Sequence, residues 1–194
     1  RRIDAAKAAA MAAKGVAVKS MPDIRWGRCD IKTTALVANV LAKQEARTAG
    51  AYEAWLVDDE GFVTEGASSN AWIVDAAGVL TTRSLSPAIL PGITREAVLA
   101  LARERQLPIA ERPFTLAEAF VAREAFMTSA GAFVMPVVRI DGRPVGGGAP
   151  GPVAGVARLV LAAHEVEVAV AEPALEEALA EMLAEHVDRR LAAV

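Results

Sequence analysis

Residues 23–34 read DIRWGRCDIKTT, a short apolar approach that ends at Lys32 and is followed by a run with helical periodicity. Arg25 and Arg28 place two cations ahead of this lysine. An amine in partly apolar, cation-flanked surroundings loses its proton more easily than a solvated amine, and only the neutral amine attacks a carbonyl. Lys32 is therefore a candidate nucleophile. Alternatively, Lys32 is an ordinary lysine at the end of a strand, and the two arginines form structural ion pairs.

Residues 33–49 show apolar side chains at the i, i+1, i+4 and i+5 spacing of a helix with one buried face. These side chains are Leu36, Val37, Val40 and Leu41. We predict a helix over residues 33–49 that buries this face and ends at Gly50. Lys32 would then lie just before the helix amino terminus, where the positive end of the dipole favours the neutral amine.

A second stretch, residues 63–70, reads VTEGASSN and consists largely of small hydroxyl and amide residues. We predict that it forms a turn between two strand pairs, and that Glu65 lies where the first hairpin passes to the second. A glutamate before a glycine is most often a surface turn residue. On its own, the stretch therefore leaves the role of Glu65 open.

The two stretches, taken in order with the helical segment NVLAKQEA at residues 39–46, resemble the fold type IV pyridoxal-phosphate (PLP) transaminases, most closely the D-amino-acid transaminases. The resemblance extends to about His164. It implies an α/β (α+β) fold, the large carboxy-terminal lobe of that family, in which helices surround a mixed, barrel-like sheet. It also implies a small amino-terminal lobe ahead of this point. We therefore interpret residues 1–164 as the large PLP-binding lobe and residues 165–194 as a helical extension.

The resemblance assigns the chemistry to two residues. Lys32 would form a Schiff base with PLP and, once the substrate displaces it, move the proton between the substrate α carbon and C4′ of the coenzyme. A primary amine is needed because only such an amine exchanges imines in this way. Glu65 would hydrogen-bond the pyridine nitrogen and keep it protonated, so that the ring accepts the electrons released with the α proton.

The same resemblance implies the remaining coenzyme contacts. Leu90 would pack on the ring face, and Ser68 and Ser69 would line the phosphate side. The phosphate would bind at a glycine followed by free amides at a helix start, which is a favourable anion site. The groups expected at the phosphate are Gly92, the Ile93 and Thr94 amides, the Thr94 hydroxyl, and the turn at Ser129 and Ala130. Ala130 departs from the family pattern, because relatives often have threonine there.

Elsewhere, periodicity and turn signals predict a regular alternation of strands and helices. Thr94 is a plausible cap of the third helix, and Thr115 with Glu118 forms a capping-box pattern. The predicted helices cover residues 5–14, 33–49, 95–106, 115–122, 153–164 and 174–193, and the predicted strands cover residues 15–19, 52–57, 62–65, 71–74, 79–82, 108–114, 124–128 and 134–140.

Composition excludes several classes of protein. The net charge of −3, from 21 basic and 24 acidic residues, argues against a general nucleic-acid-binding protein. No apolar run approaches the ~20 residues that a bilayer crossing needs. Cys29 is the single cysteine, so an internal disulfide is excluded and a packing thiol is expected. The sequence shows no metal-ligand pattern and no secretory signal, and we expect a cytoplasmic protein that acts on small molecules.

We therefore predict an aminotransferase that moves an amino group between a D-amino acid of the D-alanine type and a 2-oxo acid, as a homodimer. A branched-chain-amino-acid aminotransferase or an aminodeoxychorismate lyase is the alternative, because the same lysine and glutamate serve all three. A non-catalytic fragment of such an enzyme is a further alternative. The residues that bind the substrate carboxylate would lie in the small lobe and a neighbouring subunit, so none is named.

Overall fold

The computed structural model describes residues 5–165. Five helices lie in this part of the chain: α1 Ala5–Lys14, α2 Val37–Thr48, α3 Ile93–Glu104, α4 Leu116–Val121 and α5 Pro152–Glu165. The nine strands found there are β1 Val16–Pro22, β2 Glu53–Val57, β3 Val63–Gly66, β4 Asn70–Val74, β5 Leu80–Thr82, β6 Ile109–Glu111, β7 Glu124–Ser129, β8 Phe133–Ile140 and β9 Arg143–Pro144. The helix predicted over residues 174–193 lies outside the described residues.

The nine strands form one mixed sheet in the order β3-β2-β1-β8-β7-β4-β5-β6, with β9 paired to β8. Strand β1 pairs in parallel with both β2 and β8, and β5 pairs in parallel with β6. The remaining neighbours are antiparallel, including the two predicted strand pairs, β2–β3 and β4–β5, and the hairpin β7–β8. Local hairpins and long-range parallel pairings therefore build the sheet together.

The sheet curls until its two ends approach each other. Phe62, at the start of the β3 edge, forms an isolated antiparallel bridge with Thr115, which follows β6 at the opposite edge. The Val63 amide donates to the Phe114 carbonyl across the same junction, at 2.9 Å. These contacts satisfy backbone groups that an open edge strand would leave unpaired. The sheet is accordingly barrel-like.

Strand β4 is buried on both faces of the sheet, which is the reason that its residues 71–74 are continuously apolar. Along β4, Ala71 and Ile73 belong to one core cluster, whereas Trp72 and Val74 belong to another. The second cluster lies under α3 and α5, and in it Trp72 stacks on Phe126 with ring centroids 5.4 Å apart. Alternate residues of β4 thus pack into two separate layers.

Helix α2 differs from its prediction in both extent and orientation. It begins at Val37, because the Thr33 hydroxyl accepts the Ala35 amide in a local turn that competes with helix formation. The predicted apolar face is exposed, with Val37 72% and Val40 62% accessible. The helix packs by its alanine face instead, as Ala42, Ala46, Ala54, Leu56 and Ala67 form a small cluster. The prediction of a buried face at Leu36, Val37, Val40 and Leu41 is therefore wrong.

Helix α3 also starts earlier than predicted. Its N-cap is Gly92, which has an extended backbone, and Thr94 is its second helical residue rather than its cap. The capping box of α4 is confirmed, since the Thr115 hydroxyl accepts the Glu118 amide and the Glu118 carboxylate accepts the Thr115 amide. Among the residues described, no helix is long and apolar enough to cross a membrane.

Candidate active site

Asn70 joins the turn after β3 to the loop before α3. Its Nδ2 donates to Glu65 Oε2 at 3.0 Å and to the Leu90 carbonyl at 2.9 Å. The Leu90 amide also donates to Glu65 Oε2, at 3.1 Å. The structure thus brings together two residues predicted for the site, Glu65 and Leu90, which are 25 positions apart. Sequence reasoning missed Asn70, although it is the last residue of the VTEGASSN stretch.

Glu65 is only 5% exposed, and its carboxyl group is surrounded by donors. In addition to Asn70 and the Leu90 amide, Arg25 Nη1 donates to Oε1. Burial raises the pKa of Glu65 to about 7, and the charge and hydrogen bond of Arg25 oppose this shift without cancelling it. A second cation placed against Glu65 would therefore favour its ionised form.

Arg25 is held in a bidentate pair with Asp23, through Nε at 2.8 Å and Nη2 at 2.7 Å. Its Nη2 also donates to the Ala88 carbonyl at 2.9 Å. Burial would raise the pKa of Asp23, but hydrogen bonds from Arg25 and Thr64 hold that pKa below its usual range. Arg25 is thus a buried link between the segment after β1, the end of β3 and the loop before α3.

The surroundings of Lys32 differ from the prediction. Arg28 pairs with Asp30 at 2.8 Å on the surface, and Arg25 is engaged by Asp23 and Glu65. Both arginines therefore form structural ion pairs, and carboxylates offset the charges that were expected to act on Lys32. Lys32 is exposed, and α2 begins five positions later at Val37. The prediction that Lys32 lies directly before the helix is therefore wrong.

The loop that carries Lys32 is nevertheless fixed to the Glu65 turn at both ends. On its amino-terminal side, Arg25 contacts Glu65. On its carboxy-terminal side, Asn39 Nδ2 donates to the Ala67 carbonyl at 2.9 Å. Between them, the Cys29 amide donates to the Pro87 carbonyl at 2.7 Å, and the buried Cys29 thiol donates to a backbone carbonyl. The fold therefore holds this loop against the segments that contain Glu65 and Leu90.

The start of α3 has free hydrogen-bonding capacity for an anion. No side chain caps its N-terminus in the part of the chain that the structure describes. Ile93 is exposed and Thr94 is buried. Gly92 is required by a close approach, because a Cβ built there would overlap Asn70 Oδ1. The position of α3 is therefore set by the same asparagine that contacts Glu65.

The turn between β7 and β8 lies at the same end of the strands as Asn70 and the start of α3. Strands β4 and β7 pair with Asn70 opposite Thr128, so Ser69, just before β4, and Ser129, the last residue of β7, lie at the same end of the two strands. The Ser129 hydroxyl accepts the Ala132 amide at 3.2 Å, and Ala130 is in the turn itself. The residues predicted at the phosphate thus come from neighbouring strand ends and the α3 start.

The sequence profile of the amino-transferase class IV family matches residues 3–140. The chain belongs to this family. The predicted resemblance is thereby confirmed, and with it the fold class. A D-alanine aminotransferase of Bacillus licheniformis is 46% identical over 138 residues, which cover 71% of this chain and 48% of that protein. A D-alanine aminotransferase of Listeria monocytogenes is 39% identical over 162 residues, covering 80% and 55%.

A solved structure gives the corresponding comparison in three dimensions. The T.th. branched-chain amino acid aminotransferase with pyridoxamine 5′-phosphate superposes with a TM-score of 0.70 at 36% identity, covering 77% of this chain and 50% of that one. This class IV chain therefore spans about half the length of the relatives it matches.

Proposed function

We propose that the protein is a PLP-dependent aminotransferase that moves an amino group between a D-amino acid of the D-alanine type and a 2-oxo acid. The observation that carries this proposal is the buried Glu65 carboxyl group, fixed by Arg25, Asn70 and the Leu90 amide next to an uncapped helix start. A cytoplasmic location is part of the proposal, because the single cysteine suits a reducing compartment.

The donor set suits the coenzyme. A buried carboxyl group with a pKa of about 7 becomes ionised when a protonated pyridine nitrogen is placed against it, since the opposite charge lowers that pKa. PLP, when bound, supplies an electron sink for the electrons released at the substrate α carbon. Glu65 holds the proton on the ring nitrogen, and Arg25 and Asn70 keep the Glu65 carboxylate in place.

Lys32 supplies the primary amine. We propose that its Nζ binds the coenzyme aldehyde and, when displaced by substrate, takes the proton from the substrate α carbon. The exposure of Lys32 leaves this amine accessible, and Arg25 and Asn39, seven positions before and after it, anchor its loop to the Glu65 turn. A mobile loop would lose the proximity that proton transfer requires.

The coenzyme phosphate is assigned to the α3 start and the β7–β8 turn. The Ile93 and Thr94 amides and the Thr94 hydroxyl would donate to it, because helix amino termini favour anions. Gly92 permits this arrangement by making room for Asn70. The Ser129–Ala130 turn and Ser69 would complete this side, and Leu90 would pack on the ring.

Borohydride reduction followed by peptide mapping tests the assignment. The protein is incubated with PLP, reduced and digested, and a pyridoxyl adduct is expected on the peptide that contains Lys32. Lys14→Ala is the matched control, because Lys14 is an exposed lysine at the end of α1 and should leave the adduct unchanged. Covalent coenzyme retained by Lys32→Ala would contradict the assignment. An adduct on Lys32 without any substrate turnover would favour the non-catalytic alternative.

The substrate class requires a separate assay. The identity of 46% over 138 residues to a D-alanine aminotransferase, against 42% over 115 residues to a putative branched-chain-amino-acid aminotransferase of Methanocaldococcus jannaschii, favours the D-amino acid. Steady-state transamination with D-alanine and with L-leucine distinguishes the two candidates. Activity with D-alanine is expected, and activity only with the L-amino acid would exclude the D-specific function.

We also propose that the protein is a homodimer. Seven large apolar side chains on α2 and the preceding loop are exposed, a patch that soluble proteins normally cover. They are Ile24, Trp26, Ile31, Leu36, Val37, Val40 and Leu41. Sedimentation at several concentrations should show a dimer that Val40→Lys weakens. Val121→Lys is the control, since Val121 is 80% exposed on α4 and outside this patch. A monomer at all concentrations would contradict the dimer.

A further inference from the structure

Lys43, Glu53 and Ser68 form a compact polar cluster beside the Glu65 turn. Lys43 Nζ lies 3.1 Å from Glu53 Oε2 and donates to Ser68 Oγ at 2.6 Å. Ser68 Oγ in turn donates to the same Glu53 oxygen at 2.6 Å. Sequence reasoning gave no role to Lys43 or Glu53. Ser68 is three positions after Glu65 and directly follows Ala67, whose carbonyl accepts from Asn39 at the end of the Lys32 loop.

The cluster is anchored in the core. The Glu53 side chain is 2% exposed, and its second oxygen accepts the Ala54 amide at 3.0 Å. A buried carboxylate is tolerated only when it is paired and hydrogen-bonded, and Lys43 and Ser68 provide these interactions. Lys43 is partly exposed and Ser68 is exposed, so the cluster leads from the buried end of β2 to the surface of the turn.

The hydrogen bonds within the cluster determine which further hydrogen bond the Ser68 hydroxyl can form. A hydroxyl group has one proton and two lone pairs. The hydroxyl donates its proton to Glu53 and accepts a hydrogen bond from Lys43 at one lone pair, so one lone pair remains. A phosphate dianion offers only acceptors, so Ser68 in this state has no hydrogen to donate to it. A protonated amine offers only donors and matches the remaining lone pair.

We propose that Lys43 and Glu53 are positioning residues that orient Ser68 as a hydrogen-bond acceptor for a protonated amine at the Lys32 end of the coenzyme. This proposal rests on the proposed function. It places Ser68 at the amine end of the site, and it leaves the phosphate to the α3 start and the β7–β8 turn.

Comparing PLP with pyridoxal, which lacks the phosphate, separates the two ends of the site. A variant that loses a phosphate contact weakens PLP but not pyridoxal, whereas a variant at the amine end changes both equally. Thr94→Val is the matched control for the phosphate end, and we expect it to weaken PLP alone by about 10-fold or more, as for a hydrogen bond to a charged group. Ser68→Ala is expected to leave the ratio of the two dissociation constants within about 2-fold of wild type.

The absorbance of the bound coenzyme as a function of pH gives a second measurement, and it does not depend on turnover. An acceptor beside a protonated nitrogen stabilises the proton and raises the apparent pKa of that nitrogen. Ser68→Ala should therefore lower the apparent pKa by about 0.5 to 1 unit, whereas Thr94→Val should not change it. Glu53→Gln should lower it in the same direction, because the hydroxyl loses its fixed carboxylate acceptor. Lys43→Arg, which keeps a cationic donor, should shift it less than Lys43→Met.

The outcomes distinguish a failure of this inference from a failure of the proposed function. A change in the PLP-to-pyridoxal ratio in Ser68→Ala or Lys43→Met would show that the cluster binds phosphate and would overturn the inference alone. An unchanged titration in Ser68→Ala would also overturn it, and because this variant leaves Glu53 paired with Lys43 and the Ala54 amide, the protein is expected to fold. A wild-type protein that binds neither compound would overturn the proposed function and the inference together.

Discussion

Glu65 has a carboxyl group whose ordinary pKa of 4.5 is raised by burial to about 7. A group with a higher pKa in the folded state than in the unfolded state stabilises the fold below its unfolded pKa. This contribution is lost as the pH rises through the folded pKa. For Glu65 the loss falls between about pH 4.5 and about pH 7. The proton bound in the folded state is therefore part of the stability of the coenzyme-free protein.

Glu65→Gln tests the pH-dependent contribution of Glu65 to stability, because glutamine does not titrate. The unfolding free energy of wild type relative to Glu65→Gln should decrease from pH 5 to pH 8, by up to about 3 kcal/mol. Urea denaturation at the two pH values, without added coenzyme, measures it. A pH-independent difference would show that Glu65 is already ionised at pH 5 through its contact with Arg25.

Gly92→Ala should damage the site without changing any polar group. The new Cβ would overlap Asn70 Oδ1, so the asparagine would have to move away from Glu65 and Leu90. We expect a loss of about 1 to 3 kcal/mol in unfolding free energy and weaker PLP binding. Gly27→Ala is the control, since nothing lies within 4 Å of a Cβ there. Equal behaviour of the two variants would contradict the close packing at Gly92.

The side chains around Glu65 show what could be predicted from the sequence. Glu65 and Leu90 were predicted from the family resemblance, and the structure places both in one hydrogen-bonded group with Asn70. Asn70 was missed because an asparagine at the end of a turn is explained equally well by the turn itself. The ion pair of Arg25 with Glu65 spans 40 positions, and no local pattern indicates it.

Helix α4 provides the clearest local prediction. Its capping box was identified from Thr115 and Glu118 and is present in the structure. Thr115→Ala should lower the unfolding free energy by about 1 kcal/mol, because the Glu118 amide loses its acceptor. Chemical denaturation measures the change, and Thr115→Ser, which keeps the hydroxyl, should restore most of it. A full loss with serine would indicate that the methyl group of Thr115 matters more than the cap.

Helix α2 shows why periodicity alone misled. Its apolar stripe predicts a buried face, but the sheet contacts the opposite, alanine-rich face. A stripe indicates that a surface avoids water, and it does not indicate which surface covers it. The start of α2 was misplaced for a different reason, namely the local hydrogen bond at Thr33, which favours a turn over a first helical turn.

The two-layered core makes the stability of the molecule depend on residues that face α3 and α5. Phe126 is fully buried and stacks on Trp72. Phe126→Ala should cost about 3 to 5 kcal/mol through the lost contacts and the cavity that remains. Thermal and urea denaturation measure it. Val121→Ala, at an 80% exposed position, should change stability by less than about 0.5 kcal/mol, and a comparable loss there would contradict the assignment of the core.

Most strands and helices could be predicted because their signals are local: the periodicity of apolar residues, turn residues such as glycine, and a capping pattern. The order of the strands could not be predicted from those signals, because β1 pairs with β2 and β8 and the sheet closes through Phe62 and Thr115. Such pairings depend on contacts between distant segments. The family resemblance supplied what the local patterns lacked.

The parallel pairing of β1 with β8 also bears on biosynthesis. Val16 is opposite Val137, so a strand made early gains its second neighbour only after about 120 further residues have left the ribosome. Until then, one edge of β1 has unpaired amides and carbonyls, which can form hydrogen bonds with other nascent chains. Translation speed across this interval, and chaperones that occupy the open edge, should therefore govern the yield of native protein.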